Sequence, residues 1–445
     1  MLERHHQREE TMALPDPVIV VPGVTANYLQ DQYPLPPEDI WTVLSLEYER
    51  AALHPDNLRY EAGEPALVRT GQLYEIAYKE LINELRHDLS PSADVPVPVY
   101  PFAYDWRQPL EVTEAQLEAF VQEVVARTLL LRHYVRDGYR SRGTVSLVGH
   151  SMGGLVIVGY LERAGTQSRV RKVATLATPF RGSFEAVIKA TTGTANLGTT
   201  APSSREREAA RLTPSLYYLM PELASGVTAD PGLPTSLYDP GAWQPSVVLT
   251  IAEFIRLHGT DPNDIPGQAD ALFRRLLSTA QAHRRRLDAF QLDQAGLAAS
   301  DFLCVVGADC TTRVRLQIVR QGGQPNGPPD FKFASSDRDN QWSANAPGTR
   351  SFTGDGTVPF EGAIPSFLAR ENLVCVTPDD FGYWEVQDRL TTSVAGFHGI
   401  LPNMDMLHRL IVRHFTGAPD EHGNTWGRPA PGVTAWQPPL PLMQK

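Results

Sequence analysis

The sequence predicts an α/β protein with one large, mostly parallel sheet that is covered by helices on both faces. The first observation is that short apolar runs typical of buried strands alternate with longer amphipathic runs typical of helices. The second is that the strand-like run 144–148 leads through Gly149 directly into a helical run. This alternation favours parallel strands, because each crossover between parallel neighbours needs a connecting helix.

The predicted strands are short runs rich in β-branched residues, and several end at turn residues. The predicted helices carry apolar residues three and four positions apart. Thr113 and Gln116 form a capping-box signature, which predicts that the best-marked helix begins near Thr113. The strands are expected at 18–21, 99–103, 144–148, 173–176, 302–306 and 373–376, and the helices at 73–85, 113–125, 155–161 and 404–415.

The alternation of strands and helices breaks after Ser183 and resumes near Phe302, which indicates an insertion. We expect an α/β core at 13–183 and 301–417, with an inserted, mainly helical cap at 184–300. Residues 1–12 are highly charged and predict a disordered leader. Residues 418–445 are rich in Pro, Gly and Trp, and they are expected to pack as an extended tail or to remain loose.

The composition limits the classes of partner. A net charge of -11 argues against nucleic-acid binding and against strong attraction to anionic membranes. No run approaches the roughly 18 apolar residues that span a bilayer, and the first residues lack the apolar stretch of a signal peptide. We therefore expect a cytoplasmic protein with at most peripheral membrane contact. The charge and composition do not indicate an oligomeric state.

The chain contains 3 cysteines, which are too few for a disulfide framework. We therefore expect free thiols, with a single disulfide as the alternative. The histidines are dispersed and the cysteines lack the spacing of a zinc site, so no metal site is expected.

Gly149-His-Ser-Met-Gly153 is a G-x-S-x-G motif with a predicted strand before it and a predicted helix after it. This context is typical of the nucleophile elbow of the α/β-hydrolase fold. The turn is so sharp that a side chain at either glycine would clash, whereas Ser151 is exposed at the carboxyl end of the sheet. Ser151 is therefore the candidate nucleophile. The amide of Met152, at a helix N-terminus, is a candidate donor to an oxyanion.

A serine hydroxyl needs a base within hydrogen-bond reach and an acid that orients the base. In this fold the acid follows the serine and the histidine comes last. Asp355 lies between two glycines, in a turn whose amides can hold a carboxylate. His398 follows the last predicted strand and is the candidate base. His408 and His414 compete with it, but both fall within a predicted helix.

The residue before the serine and the loop after the first strand complete the expected site. His150 should point away from the reacting bond as a packing element. A second oxyanion donor is expected from the loop after the first strand, where the amide of Val24 follows Pro22-Gly23.

Several short strings occur along most of the chain. Tyr104-Asp-Trp-Arg107 and Gly354-Asp-Gly-Thr-Val-Pro359 are more diagnostic than the serine elbow, which many hydrolases share. The other strings are Val21-Pro-Gly23, Gly149-His-Ser-Met-Gly153, Ala177-Thr-Pro-Phe-Arg-Gly-Ser183, Pro214-Ser-Leu-Tyr-Tyr-Leu-Met-Pro221 and the single residue His398. In this order they resemble the lecithin:cholesterol acyltransferase family, which includes lysosomal phospholipases and many bacterial relatives.

The resemblance implies the same triad, Ser151, Asp355 and His398, and the same two oxyanion donors, Val24 and Met152. It places Tyr104 to Arg107 at the end of a central strand. Asp105 and Arg107 are expected to pair and brace that loop. Trp106 and Tyr28 are candidates for the substrate pocket, and Tyr28 is also expected to form an apolar lip with Leu29, Tyr33 and Trp41.

One departure from the family concerns lipid surfaces. Extracellular and lysosomal members carry a disulfide-clipped element after the first strand that helps them engage lipid, whereas residues 30–70 here contain no cysteine. Interfacial lipid binding is therefore not implied.

These residues predict a serine-dependent hydrolase of carboxylic esters with hydrophobic acyl groups, acting on a small-molecule or lipid ester through an acyl-enzyme. An acyltransferase with an alcohol acceptor is the alternative, and an amidase or thioesterase would use the same groups. The hypothesis from a different functional class is a catalytically silent binding protein that retains the fold. None of these reactions needs a cofactor.

Overall fold

A computed structural model of the chain describes residues 13–32, 36–42, 51–52, 68–194, 202–336, 354–382, 385, 396–419 and 427–441. The predicted leader and Tyr33 lie outside the described residues. The strands are β1 (Val18–Val21), β2 (Asn27–Asp31), β3 (Glu38–Trp41), β4 (Val68–Leu73), β5 (Val99–Pro101), β6 (Val145–His150), β7 (Val170–Leu176), β8 (Val227–Ala229), β9 (Phe302–Gly307), β10 (Thr312–Arg320), β11 (Pro329–Ser336) and β12 (Leu373–Val376).

The helices are α1 (Glu75–Leu89), α2 (Leu110–Thr128), α3 (Arg132–Arg136), α4 (Tyr139–Arg142), α5 (Met152–Ala164), α6 (Phe184–Thr192), α7 (Ser204–Leu212), α8 (Pro214–Tyr218), α9 (Pro245–His258), α10 (Ile265–Ala289) and α11 (Asp405–Thr416). Within the described part of the chain, none of them is long and apolar enough to cross a membrane.

The central sheet has six strands in the order β12-β9-β7-β6-β1-β5, and every neighbouring pair is parallel. The prediction of a mostly parallel sheet is confirmed, although β5 ends at Pro101 rather than at 103. Strand β6 lies between β1 and β7, so its carboxyl end opens at the middle of one rim of the sheet. All of its residues are buried.

Helices cover both faces of this sheet, because side chains of successive strand residues point to opposite faces. Val18 and Val20 pack with apolar residues of α1 and α11 on one face. Ile19 and Val21 pack with residues of α2 and α5 on the other face. The doubly covered sheet of the prediction is therefore present.

Helix α2 begins at Leu110, so the predicted start near Thr113 is wrong. Leu110 is fully buried, which extends the apolar face of the helix by one turn toward the amino end. Pro109 precedes the helix with a φ of −53°, which its ring fixes near helical values. Thr113 is buried inside the helix and its hydroxyl has no hydrogen-bond partner, so it does not cap anything.

Two three-stranded sheets flank the core and were not predicted. One has the order β3-β2-β4 and is antiparallel. The other has the order β11-β10-β8, in which β10 and β11 are antiparallel and β8 is parallel to β10. Strand β8 belongs to the predicted cap, whereas its partner β10 follows the cap in sequence. The mainly helical segment is therefore joined by strand pairing to residues 312–320.

The described part of the C-terminal tail packs along the edge strand β12. Arg428 and Cys375 exchange two backbone hydrogen bonds of 3.0 and 2.8 Å, and the indole of Trp436 donates to the carbonyl of Leu373 at 2.8 Å. Cys304, Cys310 and Cys375 form no disulfide with one another.

Candidate active site

Ser151 occupies the turn between β6 and α5, at the middle of the sheet's rim. Its φ of 54° is unusual for a residue other than glycine, and such strained positions cluster at functional sites. A side chain at Gly153 would place its Cβ 2.2 Å from the carbonyl oxygen of Val21, and one at Gly149 would meet Ile157 at 2.7 Å. Both glycines are therefore needed for the turn, as predicted.

The structure brings Ser151, His398 and Asp355 together, although the three residues are far apart in sequence. His398 Nε2 lies 2.9 Å from Ser151 Oγ, and His398 Nδ1 lies 2.6 Å from Asp355 Oδ2. Since a carboxylate only accepts, Nδ1 carries the proton and donates to Asp355. Nε2 then accepts from the serine hydroxyl, which is the arrangement that a general base requires.

The Asp355 carboxylate is held by its own turn. Its Oδ1 accepts from the amides of Thr357 and Val358 at 2.9 and 2.7 Å, while Oδ2 faces the imidazole. The residue is 1% exposed. The turn is tied to the connection between β9 and β10, because the amide of Cys310 donates to the carbonyl of Gly354 at 2.9 Å. The orientation of the acid is thus fixed before any substrate is bound.

The competing histidines of α11 lie in the core. His408 Nε2 donates to the carbonyl of Pro402 at 2.7 Å, and burial lowers its pKa. His414 Nε2 lies 3.1 Å from the carbonyl of Val173, and burial lowers its pKa to about 4. Neither ring contacts Ser151.

His150 points away from the Ser151 hydroxyl, but it does more than pack. Its Nε2 lies 3.0 Å from the backbone carbonyl of His398, and its Nδ1 lies 2.7 Å from the hydroxyl of Tyr78. The same hydroxyl accepts from the amide of Gly23 at 3.0 Å. Burial holds the pKa of His150 well below its usual range, with the neighbouring His398 as a further cause. Nothing in the sequence pattern singled out Tyr78, which has the spacing of a core residue.

The two predicted oxyanion donors come from the elements that flank Ser151. Met152 is the first residue of α5, so its amide has no acceptor within the helix. The loop after β1 lies against Ser151, because a Cβ at Gly23 would be 2.9 Å from Ser151 Cβ. The hydroxyl of Tyr104 donates to the carbonyl of Pro22 at 2.8 Å and fixes this loop. Val24 follows Gly23 in that loop, and its role as a donor stays a prediction.

A cavity of about 50 Å³ borders this loop. Trp106 lines it, and its ring packs edge-on against Trp41 with centroids 4.9 Å apart. The predicted pocket residue Tyr28 is not part of this lining; it lies in β2, close to Gly71 of β4. The lining consists of Val24, Thr25, Trp41, Ala51, Trp106, Lys189, Ala209, Ala210, Thr213 and Leu216.

The predicted brace beside the cavity is present. Arg107 donates to both carboxylate oxygens of Asp105, at 2.9 and 2.7 Å. Arg107 is 1% exposed and also donates to the carbonyl of Ala51 at 3.3 Å. Away from this site, Glu84, His87 and Asp88 lie close enough together to hold a cation, but all three are exposed on α1.

The segment that carries the serine elbow matches a known family. Residues 95–264 match the family model described as lecithin:cholesterol acyltransferase. Over these residues the chain is similar to the lecithin:cholesterol acyltransferase family. This match confirms the resemblance drawn from the short motifs, and it includes Trp106 and Ser151, whereas Asp355 and His398 lie beyond it. No curated protein matches the chain significantly.

Similar solved structures were also found. A chain in the crystal structure of the Tle4–Tli4 complex has a TM-score of 0.53 and 15% identity, over 79% of this chain and 89% of that chain. A lin2722 gene product from Listeria innocua has a TM-score of 0.18 and 14% identity, over 63% of this chain and 97% of that chain. With the family match and the parallel sheet, the first similarity identifies the α/β-hydrolase fold.

Proposed function

We propose that the chain is a serine-dependent hydrolase of carboxylic esters with hydrophobic acyl groups. The observation that carries the proposal is the hydrogen-bonded series from Asp355 through His398 to Ser151 at one rim of the sheet. The match to the lecithin:cholesterol acyltransferase family supports the coarser statement that the activity is ester hydrolysis or acyl transfer on lipid esters.

The proposed reaction proceeds through an acyl-enzyme. Ser151 Oγ attacks the ester carbonyl carbon while His398 Nε2 takes the hydroxyl proton, and the carbonyl oxygen becomes an oxyanion. The amides of Met152 and Val24 stabilise that charge, and loss of one such donor typically costs on the order of 10²–10³ in turnover. His398 then returns the proton to the leaving alcohol as the bond between carbon and alkoxy oxygen breaks.

Water completes the cycle in a hydrolase. His398 removes a proton from water, the resulting oxygen nucleophile attacks the acyl-enzyme, and Ser151 leaves with the proton restored. In an acyltransferase, an alcohol takes the place of water in this step. The family match favours testing this alternative.

The acyl group is proposed to enter the cavity beside the loop after β1. This loop, residues 22–24, carries the proposed donor Val24 and is called the oxyanion loop. Trp41, Trp106 and Leu216 give this cavity apolar walls, and Val24 connects it to the proposed oxyanion hole. Apolar surface removed from water contributes roughly 25 cal/mol per Å², so a hydrocarbon chain is favoured there over a polar group.

The experiment is a panel of esters with varied acyl chains, assayed with the wild type and with Ser151→Ala. We expect turnover to fall to background in the variant, and a fluorophosphonate probe to label the wild type only. Ser146→Ala, which removes another buried hydroxyl from β6, is the matched control and should keep both labelling and turnover. Full turnover in Ser151→Ala would contradict the proposal, and an unlabelled, inactive wild type would support a silent binding protein.

The hydrolase and the acyltransferase are separated by adding an alcohol acceptor. A hydrolase releases free acid at the same rate with or without the acceptor. An acyltransferase instead forms a new ester at the expense of free acid. The ratio of the two products, measured by chromatography, distinguishes these activities.

A further inference from the structure

A chain of three hydrogen bonds, two buried and one partly buried, connects the oxyanion loop to the backbone of the proposed base. The carbonyl of His398 can only accept, so His150 Nε2 carries the ring proton and donates to it at 3.0 Å. His150 Nδ1 is then an acceptor, and the hydroxyl of Tyr78 donates to it at 2.7 Å. The same hydroxyl oxygen accepts from the amide of Gly23 at 3.0 Å. Every donor and acceptor in this chain is therefore determined.

Burial keeps the side chains of Tyr78 and His150 in the protonation states that this series of hydrogen bonds requires. Tyr78 is 1% exposed and His150 is 4% exposed. Burial raises the pKa of Tyr78, so the phenol keeps its proton. Burial lowers the pKa of His150, so the ring stays neutral with one donor and one acceptor. A single hydrogen-bond pattern is thus maintained across the neutral pH range.

The two ends of this series of hydrogen bonds, Gly23 and His398, belong to the proposed catalytic site. Gly23 precedes Val24, and its backbone lies against Ser151. His398 is the residue whose ring contacts the serine hydroxyl. His150 is the last residue of β6 and directly precedes Ser151. The oxyanion loop, the nucleophile turn and the segment of the base meet at these two side chains.

We infer that Tyr78 and His150 are positioning residues that hold the oxyanion loop and the backbone of His398 in fixed relation to Ser151. The inference rests on the proposed serine hydrolase function. Neither residue lines the cavity beside Trp106, so their contribution belongs to the transition state rather than to substrate binding.

The test is Tyr78→Phe, which removes only the hydroxyl. The amide of Gly23 then loses its acceptor and His150 Nδ1 loses its donor. Small misplacements of catalytic groups can cost about 10²-fold, so we expect kcat to fall about 10- to 100-fold while KM stays within about twofold. The rate of inactivation by a fluorophosphonate, which forms a tetrahedral adduct, should fall in parallel with kcat.

Tyr134→Phe is the matched control. Tyr134 is also fully buried, and its hydroxyl donates to the carbonyl of Pro15 at 2.8 Å, at the opposite end of the strands. We expect this variant to lose stability while it keeps the wild-type kcat. If Tyr78→Phe is folded and keeps the wild-type kcat, or if both variants lose kcat equally, the positioning role is wrong.

His150 provides a second variant that keeps the test decisive if Tyr78→Phe does not fold. Glutamine can donate to the His398 carbonyl and accept from the tyrosine, whereas leucine can do neither. We expect His150→Gln to retain at least tenfold more turnover than His150→Leu, and equal turnover in the two would overturn the inference. Because Ser151→Ala tests the hydrolase function separately, failure here leaves that function standing.

Discussion

Asp355 illustrates how a single residue sets the protonation state of its neighbour. Two backbone amides donate to its Oδ1, so the oxygen at that position is fixed as an acceptor. The other oxygen faces the N–H of His398. The turn therefore distinguishes the two oxygens of one carboxylate.

This asymmetry predicts the effect of Asp355→Asn. The amide oxygen should take the position of Oδ1, which turns the NH2 group toward His398 Nδ1. The ring must then accept at Nδ1 and present a proton at Nε2, where it cannot activate Ser151. We expect kcat to fall on the order of 10⁴-fold, with little change in the circular dichroism spectrum.

Asp16→Asn is the control for this prediction. Asp16 is also a buried carboxylate, but it pairs with Arg142 at 3.0 Å at the other end of the sheet. Its replacement should lower the thermal midpoint and leave kcat unchanged. A wild-type kcat in Asp355→Asn would show that the acid has been assigned to the wrong residue.

At the scale of single residues, the sequence predicts those functional candidates that lie in a short, contiguous motif. Ser151 and Asp355 each lie in a short string, His398 follows the last predicted strand, and the fold prescribes their order. Tyr78 has no such string. Its partners, Gly23 and His150, are distant in sequence, and a tyrosine on the apolar face of an amphipathic helix looks like any core residue. Only the packing of α1 against the sheet brings its hydroxyl to these partners.

At the scale of elements, α10 of the predicted cap is joined to α2 by a buried acid. Glu114 is fully buried in α2, and it accepts from His283 at 2.6 Å and from Arg286 at 3.2 Å, both in α10. The Glu114 side chain also packs against Gly159 of α5. A larger residue could not occupy this position, because its Cβ would lie 2.0 Å from a Glu114 oxygen. Three helices therefore meet at one carboxylate.

Glu114→Gln tests this junction. The amide keeps the shape of the side chain but not its charge, so the hydrogen bonds to both partners weaken. Hydrogen bonds to charged groups contribute about 1.5–3 kcal/mol, and we expect the free energy of unfolding to fall by about that amount. Urea unfolding followed by circular dichroism measures the change.

Glu123→Gln in the same helix is the control. Glu123 pairs with Arg127 at the surface, with both side chains about half exposed. Exposed pairs of this kind contribute little, so the midpoint of unfolding should hardly move. Equal effects of the two substitutions would contradict a structural role for the buried acid.

Among the elements, the central strands were predictable and the flanking sheets were not. Four strands of the core, β1, β6, β9 and β12, are buried along their whole length, so they are largely apolar runs. Strand β10 instead alternates arginine and glutamine with apolar residues, which is a signal for a half-buried strand. Its partner β8 is only three residues long and more than 80 residues distant in sequence, which no local pattern can indicate.

For the whole molecule, buried histidines predict that stability depends on pH. Burial lowers the pKa of His150, His408 and His414, the last to about 4. In the unfolded chain these rings titrate near 6.5, so the unfolded state binds more protons below that pH. Stability should therefore be complete above about pH 6.5 and decrease as the pH falls toward 4.

His408→Gln tests this dependence. Glutamine can still donate to the carbonyl of Pro402, but it cannot be protonated. Between pH 7 and pH 5, we expect the variant to lose less of its free energy of unfolding than the wild type. His258→Gln removes an exposed ring and should keep the wild-type slope. Identical slopes for His408→Gln and the wild type would refute this contribution.

The tail that follows α11 has a consequence for the handling of the protein in solution. An open strand edge offers unpaired amides and carbonyls to any other chain, which promotes aggregation. At the β5 edge, Pro101 lacks an amide and Arg86 occupies the carbonyl of Val99 at 2.8 Å. At the β12 edge, the tail itself fills this place through Arg428 and Trp436. Trimming the chain after residue 417 to aid crystallisation would therefore expose the backbone groups of β12 that the described tail residues now cover.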